Sequence, residues 1–133
     1  MSIGSEFWHK EVIDFDLPSI AEQTAAFNTL YELFIFAIYK AKQNPNRPGW
    51  ELRYDLTGWH EYKFFSKELP AIQEKPDMRF VYYYNSFNKN FYLLAVGLRN
   101  SEETRVSAKE HSIYYIAANR LKRTNQDCWQ MIK

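Results

Sequence analysis

Apolar and polar positions are patterned most clearly between Asp77 and Asn100 (DMRFVYYYNSFNKNFYLLAVGLRN). Arg79–Tyr84 and Phe91–Leu98 are dense in aromatic, β-branched and apolar residues of the kind that fit a pleated surface, and they predict two strands. The polar stretch Asn85-Ser86-Phe87-Asn88-Lys89-Asn90 predicts the turn between them, because Asn tolerates the left-handed backbone that hairpins need. With Tyr84 opposite Phe91, alternation puts Phe80, Tyr82 and Tyr84 on one face with Phe91, Leu93 and Ala95. Arg79, Val81 and Tyr83 then share the other face with Tyr92, Leu94 and Val96. Arg79 opens the hairpin and Arg99 leaves it, so two guanidinium groups are expected at one edge of the sheet.

Earlier in the chain, Glu11–Leu17 (EVIDFDL) alternates imperfectly and reads as a first strand, its acids suiting an edge and Pro18 ending it. Ser19-Ile20-Ala21-Glu22 has capping-box spacing and predicts a helix to about Lys42. Its stripe is Ile20, Phe27, Leu30, Tyr31, Phe34, Ile38 and Ala41, with room for a break near Ala25–Asn28. The centre, Leu33–Ile38, is apolar all round, which fits a helix covered on several sides or one awaiting a partner. Gln43–Pro48 breaks the pattern. Trp50–Tyr54 reads as a short edge segment, Leu56-Thr57-Gly58 as a turn, and Trp59–Phe65 as a strand with Glu61, Lys63 and Phe65 on one face. After the long connection Ser66–Pro76 and the hairpin comes a last helix, about Glu110–Arg123, with Ile113, Ile116, Ala117 and Leu121 inward and Arg120 in a basic end. Thr124–Lys133 reads as a loosely held tail with an anchor at Trp129.

These elements predict one α+β domain over residues 1–133. Its antiparallel sheet has about four strands, with a helix or helical hairpin on one face, a groove on the other, and a C-terminal helix. A length of 133 residues suffices for one core. The high aromatic share of 18% fits large side chains filling a small core, or a binding surface. Gly4-Ser5-Glu6-Phe7 could be translated from two adjacent cloning sites, so residues 1–7 receive no functional weight.

Net charge is +1 but unevenly placed. Residues 1–66 carry 6 Lys and Arg against 9 Asp and Glu, a net −3; residues 67–133 carry 11 against 7, a net +4. The positive half can attract phosphates. A single cysteine, Cys128, and the lack of a signal peptide or a run near ~20 apolar residues lead to the expectation of a cytoplasmic protein without membrane contact.

His9, His60 and His111 are far apart in sequence and Cys128 has no pair, so no zinc spacing exists. Neither a glycine-rich phosphate loop nor a nucleophile elbow is present. What remains is a set spread over several elements: Glu61, Lys63, Arg79, Arg99 and Tyr114. Glu61 beside Lys63 also reads as a surface ion pair, worth little, and Tyr115 next to Tyr114 leaves the helix register open.

The order Leu56-x-Gly58-Trp59-x-Glu61-x-Lys63, Met78-Arg79-Phe80-Val81-Tyr82, Leu93-Leu94-Ala95-Val96-Gly97-Leu98-Arg99, then Ile113-Tyr114-x-x-Ala117-x-x-Arg120 resembles the RelE superfamily of bacterial toxins, which includes the YoeB, HigB and ParE groups. The resemblance covers about residues 52–123. It implies a toxin of a toxin–antitoxin system that cleaves mRNA, on the ribosome in RelE-type members, without a metal or other cofactor, and that is held by an antitoxin protein. The ribose 2′-OH attacks the adjacent phosphate and leaves a 2′,3′-cyclic end. Such chemistry needs a base, cations for phosphate charge and a proton for the leaving oxygen. By position Arg79 matches the arginine on the scissile phosphate and Arg99 the second arginine. Lys63 matches a strand lysine that stabilises developing charge. Tyr114 matches the tyrosine that stacks on or orients substrate, and Glu61 stands where a carboxylate base would act. The near-neutral charge, Glu61 in place of one subgroup's lysine, and the long Ser66–Pro76 connection depart from the family. They keep two alternatives in view: a ParE-like gyrase inhibitor, and a domain with the fold but without the reaction.

Overall fold

A computed structural model describes residues 4–98 and 113–133 of the chain. In chain order these form β1 (Glu6–His9), a π-helical turn (Val12–Asp16), α1 (Leu17–Gln23), α2 (Phe27–Gln43), β2 (His60–Phe64), β3 (Met78–Tyr84), β4 (Phe91–Leu98), α3 (Ile113–Lys122) and β5 (Trp129–Met131). The architecture is α+β around a five-stranded sheet in the order β2-β3-β4-β1-β5. The sheet is mixed, because β1 runs parallel to β4 while every other pairing is antiparallel. This corrects the expected four-stranded antiparallel sheet.

Two of the added features come from segments with no strand pattern. Glu6 and Phe7, given no weight in the sequence reading, form half of β1 and pair with Phe91 and Tyr92. The tail is not loose: β5 pairs with β1, and Glu6 exchanges backbone hydrogen bonds of 2.7 Å with Ile132 and Lys133. Trp129 is the anchor, packed on His9, Trp59 and Tyr92.

The segment Glu11–Leu17 is helical rather than extended. Val12, Leu17 and Ile20 turn to the core while Phe15 stays 60% exposed, a spacing that a strand cannot produce. Pro18 lies in the first turn of α1, where its missing N–H costs no helical bond. Ser19 is therefore inside the helix and accepts from Gln23 instead of capping. The helix break falls at Thr24–Ala26, and α2 lays the expected stripe, with Leu30, Phe34, Ala37, Ile38 and Ala41 buried against the sheet.

The hairpin pairs as expected at its turn, with Tyr84 opposite Phe91. Further along, Leu94 is an extra residue in β4: Tyr82 pairs Leu93 while Val81 pairs Ala95. A bulge of this kind exchanges the faces beyond it. Ala95 therefore joins Val81 and Leu94 on the α3 side, and Val96 joins the α2 core, the reverse of simple alternation.

β1 pairs with β4 only as far as Leu93, and next to the bulge two side chains take backbone groups of β4. Arg120 Nη1 donates to the Leu94 carbonyl at 3.0 Å, and the Val96 N–H donates to Asp16 Oδ2 at 3.0 Å. Arg120 and Asp16 are themselves joined by two hydrogen bonds of 2.7 and 2.9 Å. Arg120 is 3% exposed, so the residue read as part of a basic helix end is a core residue. Ile116, read as inward, is 38% exposed in its place. The face read as a groove carries α3, whose Ile113 and Ala117 pack on Leu56, Val81, Leu94 and Ala95.

Beside this pair, His9 is buried and its tautomer is fixed by its neighbours. Thr124 Oγ1 donates to the Arg120 carbonyl, so His9 Nε2–H donates to Thr124 Oγ1 at 3.0 Å. Nδ1 accepts from the Glu11 N–H at 3.1 Å. Burial first, then the Arg120 charge, holds its pKa below the ordinary 6.5, outweighing the pull of Glu11 and Asp16.

Two outcomes follow for stability. Arg120→Met strands the Asp16 carboxylate and the Leu94 carbonyl, and should cost ~3–5 kcal/mol in urea unfolding. Asp16→Asn in the same background should recover part of that loss, because no buried charge then remains. Separately, a depressed histidine pKa means that the unfolded chain takes up the proton first, so stability is full above 6.5 and is lost as pH falls through the folded value. The urea midpoint should drop between pH 7.5 and pH 5. His9→Gln should flatten that drop without abolishing it, since burial also lowers His60.

Candidate functional site

Side chains two apart on a strand share a face, so Glu61 and Lys63 of β2 project together. The β2–β3 register sets Lys63 opposite Arg79 and Glu61 opposite Val81. Val81 belongs to the cluster under α3, which fixes the side of the sheet on which this set lies. The first turn of α3 supplies the fourth member. Ile113 and Ala117, four apart, seat the helix, and Tyr114 turns towards β2 and β3 while Tyr115 is 40% exposed. That settles the helix register in favour of Tyr114.

Four of the five residues singled out from the sequence therefore meet. Tyr114 donates its hydroxyl proton to Glu61 Oε2, and Arg79 Nη1 donates to the Tyr114 oxygen. Arg79 Nη1 lies 3.7 Å from Glu61 Oε2, and Lys63 Nζ 3.7 Å from Glu61 Oε1. The Arg79 guanidinium sits 5.7 Å from the centre of the Tyr114 ring. Arg99, the fifth residue, lies outside the described residues.

Burial divides the set. Glu61 and Arg79 are 9% and 8% exposed, and Arg79 Nε is buried with no hydrogen-bond partner. The Lys63 side chain is about a third exposed. Arg79 is thus not the open, groove-facing arginine that the resemblance implies. It is packed beneath α3, facing Gly97 on β4, which adds no side chain.

The phenol of Tyr114 is pushed well above the ordinary tyrosine range, first by burial and then by the hydrogen bond and charge of Glu61, against the opposing pull of Arg79. It stays protonated at neutral pH and serves as a donor that aims Glu61. The set therefore offers one carboxylate to take a proton, two cations to meet an anion, and one neutral donor.

The sequence reading missed what stands at the outer edge of β2. The Arg47 guanidinium lies over the Trp50 indole, its central carbon 3.8 Å from the ring centre, and Lys63 Nζ is 5.5 Å from the same ring. The available signal was Arg47 and Trp50 bracketing the turn at Pro48-Gly49, where Gly49 takes a positive φ of 85°. Lys63 also lines a cleft of about 390 Å³ between α2 and the β2–β3 connection, with Phe36, Lys40, Phe64 and Lys67.

Among the described residues no group of three or more His, Cys, Asp or Glu could hold a metal ion, and no helix is long and apolar enough to cross a membrane. Comparison with family models, with curated proteins and with solved structures finds no match for this chain.

Proposed function

We propose that the chain is a metal-independent endoribonuclease of the RelE toxin type. The observation that supports it is the meeting of Glu61, Lys63, Arg79 and Tyr114 at one place, drawn from two strands and a helix far apart in sequence. Glu61 takes the proton of a ribose 2′-OH. Arg79 and Lys63 meet the charge that grows on the phosphate as the 2′-oxygen adds and the 5′-oxygen leaves. Tyr114 holds Glu61 in place. Without substrate the guanidinium is spent on Tyr114 and Glu61, so an RNA phosphate competes with Glu61 for Arg79. The proton that Glu61 takes is returned through solvent to the departing 5′-oxygen, so the products are a 2′,3′-cyclic phosphate and a 5′-hydroxyl end. The antitoxin that this reading carries with it has an apolar footing on α2, where Phe36 and Tyr39 stack 6.3 Å apart and are each more than half exposed.

One observation favours a second reading, a RelE-like interaction domain without the reaction. Arg79 is 8% exposed, so the same four side chains also serve to tie α3 to the sheet. Arg79→Ala does not separate the two, because it strands a buried carboxylate and destabilises the fold.

Glu61→Gln keeps the shape and the acceptor for Tyr114 while removing the base. The nuclease reading expects it to slow RNA cleavage by at least ~100-fold, the lower end of general-base contributions. Arg79→Lys should also be impaired, since an ammonium cannot make the bidentate phosphate contact. Cleavage by the wild-type protein should persist in EDTA and yield 5′-hydroxyl ends, with circular dichroism confirming that each variant folds. Equal cleavage by folded Glu61→Gln would remove this site. Absence of any cut by the wild-type protein, alone or with ribosomes, would leave the interaction domain, and a DNA-damage response without RNA cuts would point to gyrase.

A further inference from the structure

Arg47 belongs to an exposed turn, yet its guanidinium rests over an indole at 3.8 Å. Among the described residues no acidic side chain pairs with it. The nearby Glu51 carboxylate is occupied by the Gly49 N–H at 2.9 Å. A guanidinium stacked in this way keeps its outer plane and its in-plane N–H groups available, one for a base and the other for a phosphate.

The turn that carries it is anchored to the sheet at several points. Tyr82 donates its hydroxyl to the Pro45 carbonyl at 2.7 Å. Leu52 N–H bonds the Trp59 carbonyl at 2.8 Å, and Trp50 packs edge-on against Tyr62 of β2 at 5.1 Å. Glu61 donates its own backbone N–H to the Trp50 carbonyl at 2.9 Å. The residue proposed as base and the residue carrying Arg47 are thus bonded directly, and Lys63 lies between them, 3.7 Å from the Glu61 carboxylate and 5.5 Å from the indole.

We infer that Arg47 stacked on Trp50 is a binding shelf for single-stranded RNA, holding the nucleotide next to the phosphate that lies over Lys63 and Arg79. The inference rests on the nuclease reading for its placement, and the chemistry of the shelf selects its ligand. A base stacks on the guanidinium plane, and the adjoining phosphate takes the N–H edge of Arg47 or the ammonium of Lys63. Such a shelf tolerates every base, because each has a π-face.

The test measures fluorescence anisotropy of a short, labelled, fully 2′-O-methylated RNA, which binds but cannot be cut because its nucleophile is blocked. Arg47→Ala should weaken binding by roughly tenfold, in the range for losing one stacked base. Arg47→Lys should recover only part of it, since an ammonium keeps the charge without the plane. Trp50→Phe should fall between wild type and Arg47→Ala, and Lys10→Ala, which removes an exposed charge directly after β1, three strands from β2, should change nothing. Unchanged affinity in both Arg47→Ala and Trp50→Phe overturns the shelf. So does competition by polyglutamate as strong as that by unlabelled RNA, which would mark a general polyanion surface. Cleavage of unmodified RNA is scored separately. Arg47-dependent binding without any cutting keeps the shelf and rejects the nuclease; cutting without Arg47-dependent binding does the reverse.

Discussion

The pairing of Arg120 with Asp16 holds the two layers of this molecule to its sheet. Leu94 is one residue too many in β4, and β1 pairs with β4 only as far as Leu93, so a carbonyl and an N–H there turn to side chains. Each would cost ~1–3 kcal/mol if buried and unmade. Arg120 takes the carbonyl and Asp16 the N–H, while the two bond each other. One ion pair thereby fastens α3 on one side of the sheet and the π-helical turn on the other to the same irregularity. Its charges are tolerable in the interior because nearly every polar atom of the pair has a partner. Arg120 Nε is the exception, lying 3.9 Å from Glu11 without a hydrogen bond.

The extra residue also shapes the candidate site. Continued from Tyr84 opposite Phe91 without a bulge, the ladder would set Val96 across from Arg79. With Leu94 inserted, Gly97 takes that position. A β-branched side chain beside the guanidinium is replaced by none, at the place where the first turn of α3 brings Tyr114 down. The helix is consequently pinned near both ends by polar contacts, Tyr114 on Glu61 and Arg79, and Arg120 on Asp16, with Ile113 and Ala117 as the apolar seat.

Local pattern carried the hairpin, its register at the turn, β2, and the stripe of α2, because each is a short-range periodicity. Period two along β2 put Glu61 and Lys63 on one face, but the pairing that sets Arg79 opposite Lys63 is a long-range contact that local pattern did not contain. Local pattern could not carry the bulge, since Leu94 and Ala95 suit either face. Asp16 looked like an edge-strand acid because its partner stands 104 residues away. β1 and β5 are four and three residues long, too short for a period-two pattern to stand out. Tyr114 entered by resemblance rather than by pattern, and the depth at which Arg79 lies was visible in neither. The Arg47–Trp50 stack fell inside a stretch whose prolines, asparagines and glycine mark it only as a turn.

Charge accounting separates the two polar networks that pin α3. Around Arg120 the described groups balance: Glu11 and Asp16 face Arg120 and Arg123, and His9 between them is neutral. That network is closed. Around Tyr114 they do not balance, since one carboxylate, Glu61, faces two cations, Arg79 and Lys63, and the phenol stays protonated. Among the described residues this end of α3 carries a surplus positive charge. It resides mainly on Lys63, the most exposed member of the set, which shares the Trp50 ring with Arg47, an arginine without an acidic partner among the described residues. In a partly buried setting such a surplus is screened less than on an open surface, so it attracts an anion with more force than its modest size suggests. A phosphodiester carries the single negative charge that would complete the network. This imbalance distinguishes the Tyr114 end of α3 from the Arg120 end as the place to expect a ligand.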